Sequence, residues 1–217
     1  MNRFYKFFNK ELRYMKKLLI AIIIKMPFFK LIRLTANTQT PVTFKMLFIQ
    51  KVLGFNRNVY WPVHHSSKID APQNILCGIE TCPGYMPGCY ISGYGKLYIG
   101  DYTQISSNVG IITTNHDYYD NRKVVYKRPT IIGKYCWIGM NSTILPGVEL
   151  GDFTIVAAGS IVSKSFKKGY CIVGGNPAKL MFSLDPVKCV RYESDNKFNG
   201  YISNKKFEEY RKRKLKI

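Results

Sequence analysis

Acidic residues are scarce in this chain. Thirteen Asp and Glu stand against 33 Lys and Arg in 217 residues, a formal net charge of +20. That excludes an acidic, cation-sequestering surface and points to anionic partners. Histidine is scarcer still. A site built on three clustered histidines, as a zinc hydratase would need, has only His64, His65 and His116 to draw on. No apolar run reaches the roughly 18 residues that cross a bilayer. The longest candidate, 18–24, is cut short by Lys25 and Pro27, and no small-residue cleavage site follows it. The six cysteines form no Cys-x-x-Cys pair. Reduced thiols in a cytoplasmic protein, with no metal, are the simplest expectation.

What is present is a period of six. Ile132, Ile138, Ile144, Leu150, Val156 and Val162 recur at that interval, and Gly133, Gly139 and Gly151 each follow one of them. Four positions after an aliphatic residue stand Cys136, Ser142, Val148, Thr154 and Ser160. Neither a 3.6-residue helix nor a two-residue strand alternation has this period. A chain that turns a corner every six residues, three sides to a coil, does have it, and this is the mark of a parallel β-helix. The aliphatic positions point inward and stack, while the small residues let the backbone turn. The solenoid is expected to begin near Ile69, with irregular first coils and clean register again at Ile99, Ile105 and Ile111. A last strand is expected over 170–173.

The register breaks once. Ile111 and Ile132 are 21 residues apart, so 113–130 (TTNHDYYDNRKVVYKRPT) must leave the prism as a loop. Excursions of that length are usually functional. His116 sits where the chain departs, in Thr113-Thr114-Asn115-His116-Asp117, and imidazole is the usual group to take a proton near neutral pH. Asp117 and Asp120 are candidates to orient the ring.

Three passages resemble the hexapeptide-repeat acyltransferases, among them maltose and galactoside O-acetyltransferases and serine acetyltransferase. They are IGDYTQISSNVGIITTNHDYYD, PTIIGKYCWIGMNSTILPGVELGDFTIVAAGSIVSK and IVGGNPAKLM, covering about residues 90–182. The resemblance implies a left-handed parallel β-helix, an acetyl-CoA donor and a trimer with its site between neighbouring prisms. It implies His116 as the general base, flanked by Asn115 and Asp117. It further implies a coenzyme groove lined by Met140, Ser142, Ala157, Ala158, Ser163 and Lys164, with Lys179 near the phosphates and Trp137 shaping the pocket. Lys167 and Lys168 also suit the coenzyme phosphates. Phe182 stands where the family often has a second basic residue. The first coils match poorly, so the acceptor does not transfer with the resemblance.

The charge is concentrated at the two ends. Residues 1–34 carry nine Lys/Arg and one acid, and residues 188–217 carry ten and four. The chain divides into a basic, aromatic N-terminal helical extension (1–65), a β-helix domain (66–182) and a basic C-terminal tail (183–217). A helix is expected over 3–26, ended or kinked by Pro27 and suited either to an anionic membrane surface or to packing on the protein. A short helix is expected over 44–53, stopped by Gly54. The tail is expected to hold a helix over 205–215, to pack by the end of the prism or to stay partly unordered. The reading that follows is an acetyltransferase acting on a sugar or glycan hydroxyl in surface-polysaccharide synthesis, at the inner membrane face. Amino-sugar N-acetylation and a non-catalytic anion-binding role are the alternatives. No motif supports nucleic-acid binding.

Overall fold

The computed structural model describes residues 27–126 and 128–217. The helix expected over 3–26 lies outside the described residues. Helix α1 spans Pro27–Thr35. Pro27 therefore opens a helix, which suits its fixed φ and missing N–H at a first turn. Helix α2, Phe44–Leu47, runs into a wider π turn over Phe48–Val52.

The solenoid starts at β1 (Lys68–Asp70) and β2 (Ile75–Cys77). The second coil is β3 (Tyr90–Ser92), β4 (Leu97–Ile99) and β5 (Gln104–Ile105). The third opens with β6 (Gly110–Ile111), leaves the prism as a hairpin of β7 (Asn115–His116) and β8 (Val124–Val125), and returns at β9 (Thr130–Ile132) and β10 (Trp137–Ile138). The fourth is β11 (Thr143–Ile144), β12 (Glu149–Leu150) and β13 (Thr154–Val156). The fifth is β14 (Ile161–Val162), a bridge from Phe166 to Leu150, and β15 (Cys171–Gly175). Strand β16 (Ala178–Ser183) folds back antiparallel on β15.

Three parallel sheets result, one per face of a prism: β1-β3-β6-β11-β14, then β2-β4-β9-β12, then β5-β10-β13-β15. Register follows the hexads. Ile69, Ile91, Ile111, Ile144 and Val162 stack on the first face. Cys77, Ile99, Ile132 and Leu150 stack on the second, and Ile105, Ile138, Val156 and Val173 on the third. All are buried, and each buried aliphatic side chain is worth roughly 1.5–3 kcal/mol of transfer free energy. The small positions are buried as well. The hydroxyls of Ser142, Thr154 and Ser160 donate to the carbonyls of Gly139, Gly151 and Ala157 at 2.6–2.7 Å, which satisfies carbonyls that a corner leaves without a strand partner.

The corner between the second and third faces carries Tyr102, Tyr135, Phe153 and Tyr170, one per coil, each with φ between 49° and 57°. Their rings stack with centroids 5.3, 4.8 and 5.2 Å apart. The C-terminal tail lies on this ladder. Arg191 sits over Tyr135 and Phe153, and Tyr192 is 4.9 Å from Tyr102. The tail was expected at the end of the prism or unordered. Instead it runs back along the prism to the first coil, where Asn199 donates to the Cys77 carbonyl. There helix α3, Asn204–Lys214, sets Phe207 and Tyr210 against Tyr60. Aromatic residues spaced through a basic segment supply the packing that its average polarity conceals.

Candidate active site

The hairpin leaves the corner between the first and second faces. Two buried threonines hold its stems. Thr113 donates to the Ser92 carbonyl and accepts from the N–H of Gly95. Thr130 accepts from the N–H of Gly147. Gly95 leaves no room for a side chain, since a Cβ there would stand 2.1 Å from the Thr113 carbonyl oxygen. The excursion is thus an ordered element, with Asn115 paired to Val125 and His116 to Val124.

His116 is exposed, and its Nδ1 meets the backbone carbonyl of Asn121. A carbonyl oxygen only accepts, so Nδ1 carries the proton and the Nε2 lone pair is free in the neutral ring. Neither acid orients the ring directly, contrary to expectation. Asp117 accepts from the N–H groups of Tyr119 and Asp120, and Asp120 grips Arg122 through two oxygens and Lys123 through one. These contacts fix the turn that presents the Asn121 carbonyl. The Arg122 guanidinium holds the Asp120 carboxyl below the ordinary carboxylate range. His116, Asn115 and Asp117 line one open cleft of about 240 Å³, together with Tyr118, Val125, Arg128, Pro146 and Gly147.

The residues assigned to the coenzyme do not form one wall in a single chain. With 18 residues to a regular coil, Met140 and the 158–159 turn stack, and the Gly159 N–H donates to the Met140 carbonyl. Ala157 and Ala158 share that corner, and Lys179 lies beside it on β16 opposite Gly174. This is the corner between the third and first faces. Ser163 and Lys164 follow β14 and lie at the other edge of the first face, one coil beyond Pro146 and Gly147. Ser142 is fully buried with its hydroxyl donating to the Gly139 carbonyl, so its side chain builds the corner. Trp137 stands on the third face and donates to Ser106, away from the cleft. Lys167 is tied to Glu149 at 2.7 Å rather than open to a phosphate. Pro146 and Gly147 were within reach of coil counting, whereas Arg128 and the Asn121 carbonyl had no signal in the sequence. Among the described residues no three His, Cys, Asp or Glu are grouped to hold a metal ion, and none of the described helices is long and apolar enough to cross a membrane.

Three parallel sheets stacked as the faces of a prism are the architecture that a hexapeptide repeat builds. Residues 129–164 match the bacterial transferase hexapeptide family (six repeats). The chain is 29% identical over 131 residues to WcaF of Escherichia coli (strain K12), provisionally described as a colanic acid biosynthesis acetyltransferase, covering 60% of this chain and 70% of that one. It is 32% identical over 113 residues to the Escherichia coli galactoside O-acetyltransferase, half the length of each. The crystal structure of a maltose O-acetyltransferase from Clostridium difficile 630 superposes with a TM-score of 0.53 at 25% identity, covering 72% of this chain and 83% of that one. The chain carries the bacterial transferase hexapeptide repeat, resembles the hexapeptide-repeat acyltransferases and is an acetyltransferase.

Proposed function

We propose that the protein transfers the acetyl group of acetyl-CoA to a hydroxyl of a sugar or glycan in surface-polysaccharide synthesis, with His116 as general base. The observation that carries this is the His116 Nδ1 contact with the Asn121 carbonyl, which leaves Nε2 as the proton acceptor of a ring that lines the cleft. Nε2 removes the acceptor hydroxyl proton as that oxygen attacks the thioester carbonyl. The tetrahedral adduct then collapses, and the coenzyme leaves as the thiol, its sulfur taking the proton from His116. Asn115 and Asp117 flank the reacting atoms.

The relatives favour a sugar acceptor, since their names refer to colanic acid, galactoside and maltose. Amine acetylation of an amino sugar is the neighbouring reading. The split of the coenzyme residues between two corners supports an assembly of left-handed prisms. Ser163 and Lys164 of one copy would face Met140, Ala157, Ala158 and Lys179 of the next across the groove, as a homotrimer allows. Exposed Lys164 and Lys179 then meet the coenzyme phosphates. Action on a lipid-linked glycan at the inner membrane face fits the basic N-terminal segment, residues 1–34.

The test is release of free thiol from acetyl-CoA by the purified protein with a panel of sugars. His116→Ala should lower kcat/KM by about 10²–10⁴-fold. Parent-like rates in that variant, or no thiol release with any acceptor, would sink the reading. Alkali-labile product indicates an ester and alkali-stable product an amide.

A further inference from the structure

Segment 44–57 folds with its polarity reversed. Thr43 caps α2 by accepting from the N–H of Met46. The side chain turned fully inward from the following turn is Gln50, which is 0% exposed. Its amide donates to the carbonyls of Asn56, Val59 and Trp61, and its oxygen accepts from the N–H of Val63 and the hydroxyl of Tyr201. Every donor and acceptor on that side chain is met, so a polar group is buried at little cost. The apolar side chains point the other way. Phe48, Val52, Leu53 and Phe55 are 43%, 61%, 57% and 52% exposed. Four large apolar residues within eight positions form a patch, where isolated exposed ones would need no explanation.

The charge around the patch is predominantly positive. Residues 27–65 contain Lys30, Arg33, Lys45, Lys51 and Arg57 and no acid. The Lys51 ammonium lies over the Tyr201 ring of the C-terminal tail, and Arg57 closes the segment on itself by donating to the carbonyls of Lys51 and Val52. The C-terminal helix docks on Tyr60 at this same end of the prism, bringing seven further Lys/Arg in 205–216 against two acids. Residues 44–60 and the C-terminal helix, distant in sequence, therefore meet beside the first coil.

We propose that this end of the prism docks on an anionic phospholipid surface. Phe48, Val52, Leu53 and Phe55 enter the boundary between headgroups and acyl chains, and the surrounding lysines and arginines face the lipid phosphates. An apolar patch in a surround with a large excess of cations is the chemistry such a surface recognises. A protein groove complementary to Phe and Leu would not by itself call for so large an excess of cations. The contact is peripheral and stands on the patch and its charge, independently of the reaction.

The experiment is co-sedimentation of the full chain with vesicles of phosphatidylcholine alone and of phosphatidylcholine mixed with phosphatidylglycerol. The parent should bind the anionic vesicles and scarcely bind the neutral ones. Phe48→Ser with Leu53→Ser should lower binding at least about tenfold, as two apolar anchors are lost, with an unchanged melting curve. Phe48→Trp should show a blue-shifted emission on anionic vesicles. Three results overturn the proposal. One is a parent that binds neither vesicle. Another is a serine variant that binds like the parent, which moves the contact to other residues. The third is a serine variant whose oligomeric state differs from the parent's without lipid, which makes the face a contact between copies. Thiol release with a soluble acceptor, run on the same variants, separates loss of docking from loss of catalysis.

Discussion

At the scale of single residues, position in the coil decides role more strongly than residue type. Ser142 and Ser163 are both small and polar and both were assigned to the coenzyme, yet one is sealed in a corner and the other is exposed. Ser142→Ala should lower stability by about 1 kcal/mol, the usual worth of one such hydrogen bond, and leave the KM for acetyl-CoA unchanged. Chemical denaturation and a steady-state titration check the two halves. Burial also silences the thiols. Cys82 and Cys136 are pushed up to about 12 from an ordinary 9.0. A raised value means that the folded state holds the proton more tightly than the unfolded one. Stability from this source is complete below pH 9 and is lost as pH rises towards 12. Alkylation of the native protein at neutral pH should therefore reach Cys189, the cysteine of intermediate exposure, and spare these two. Mass spectrometry of the peptides reads the outcome.

At the scale of elements, the hairpin is an insertion into an otherwise regular rung. It takes 21 residues from Ile111 to Ile132, where a regular side takes six, an excess of fifteen. Removing 114–128 restores the register, so Ile111, Ile132 and their stacks should still assemble. The shortened chain should keep its β-rich circular dichroism and a cooperative melt, with thiol release lost. Collapse of the fold would show instead that the threonine clamps at 113 and 130 are needed to close the coil. This element was legible in part. The hexads located the strands from 130 to 162, and the break in period located the excursion and its histidine. The short helix over 44–53 was visible too, with its π turn unforeseen. What holds His116 was not legible. It is a backbone carbonyl, and its position depends on how Asp117 and Asp120 fold the turn, which residue spacing does not encode. The aromatic ladder had a faint signal, an aromatic residue two places after Gly100, Gly133 and Gly151. Its left-handed backbone angles run against the preference of Tyr and Phe, so pattern reading does not anticipate them.

At the scale of the whole molecule, solenoids are held together by neighbour-to-neighbour contacts, and here the tail adds contacts between the two ends. Phe207 is 8% exposed and packs on Tyr60 and Tyr210. Phe207→Ala should cost about 3–5 kcal/mol and lower Tm by roughly 10 °C for a chain of this size. An unchanged Tm would mean that the tail rests on the prism without stabilising it. Because Tyr192, Asn199 and Phe207 each meet a different coil or the segment before the first coil, loss of any one should broaden the melt as well as shift it.

The return of the C-terminal helix to Tyr60 has a consequence for synthesis on the ribosome. Each coil after the first can close on the one already made, in the order of translation. The first coil and the segment before it must wait for residues about 140 positions downstream, since Asn199, Tyr201 and Phe207 complete their packing. A nascent chain stalled before residue 199 is then a prism with an open starting end, and a stretch translated much later is what seals the first coil.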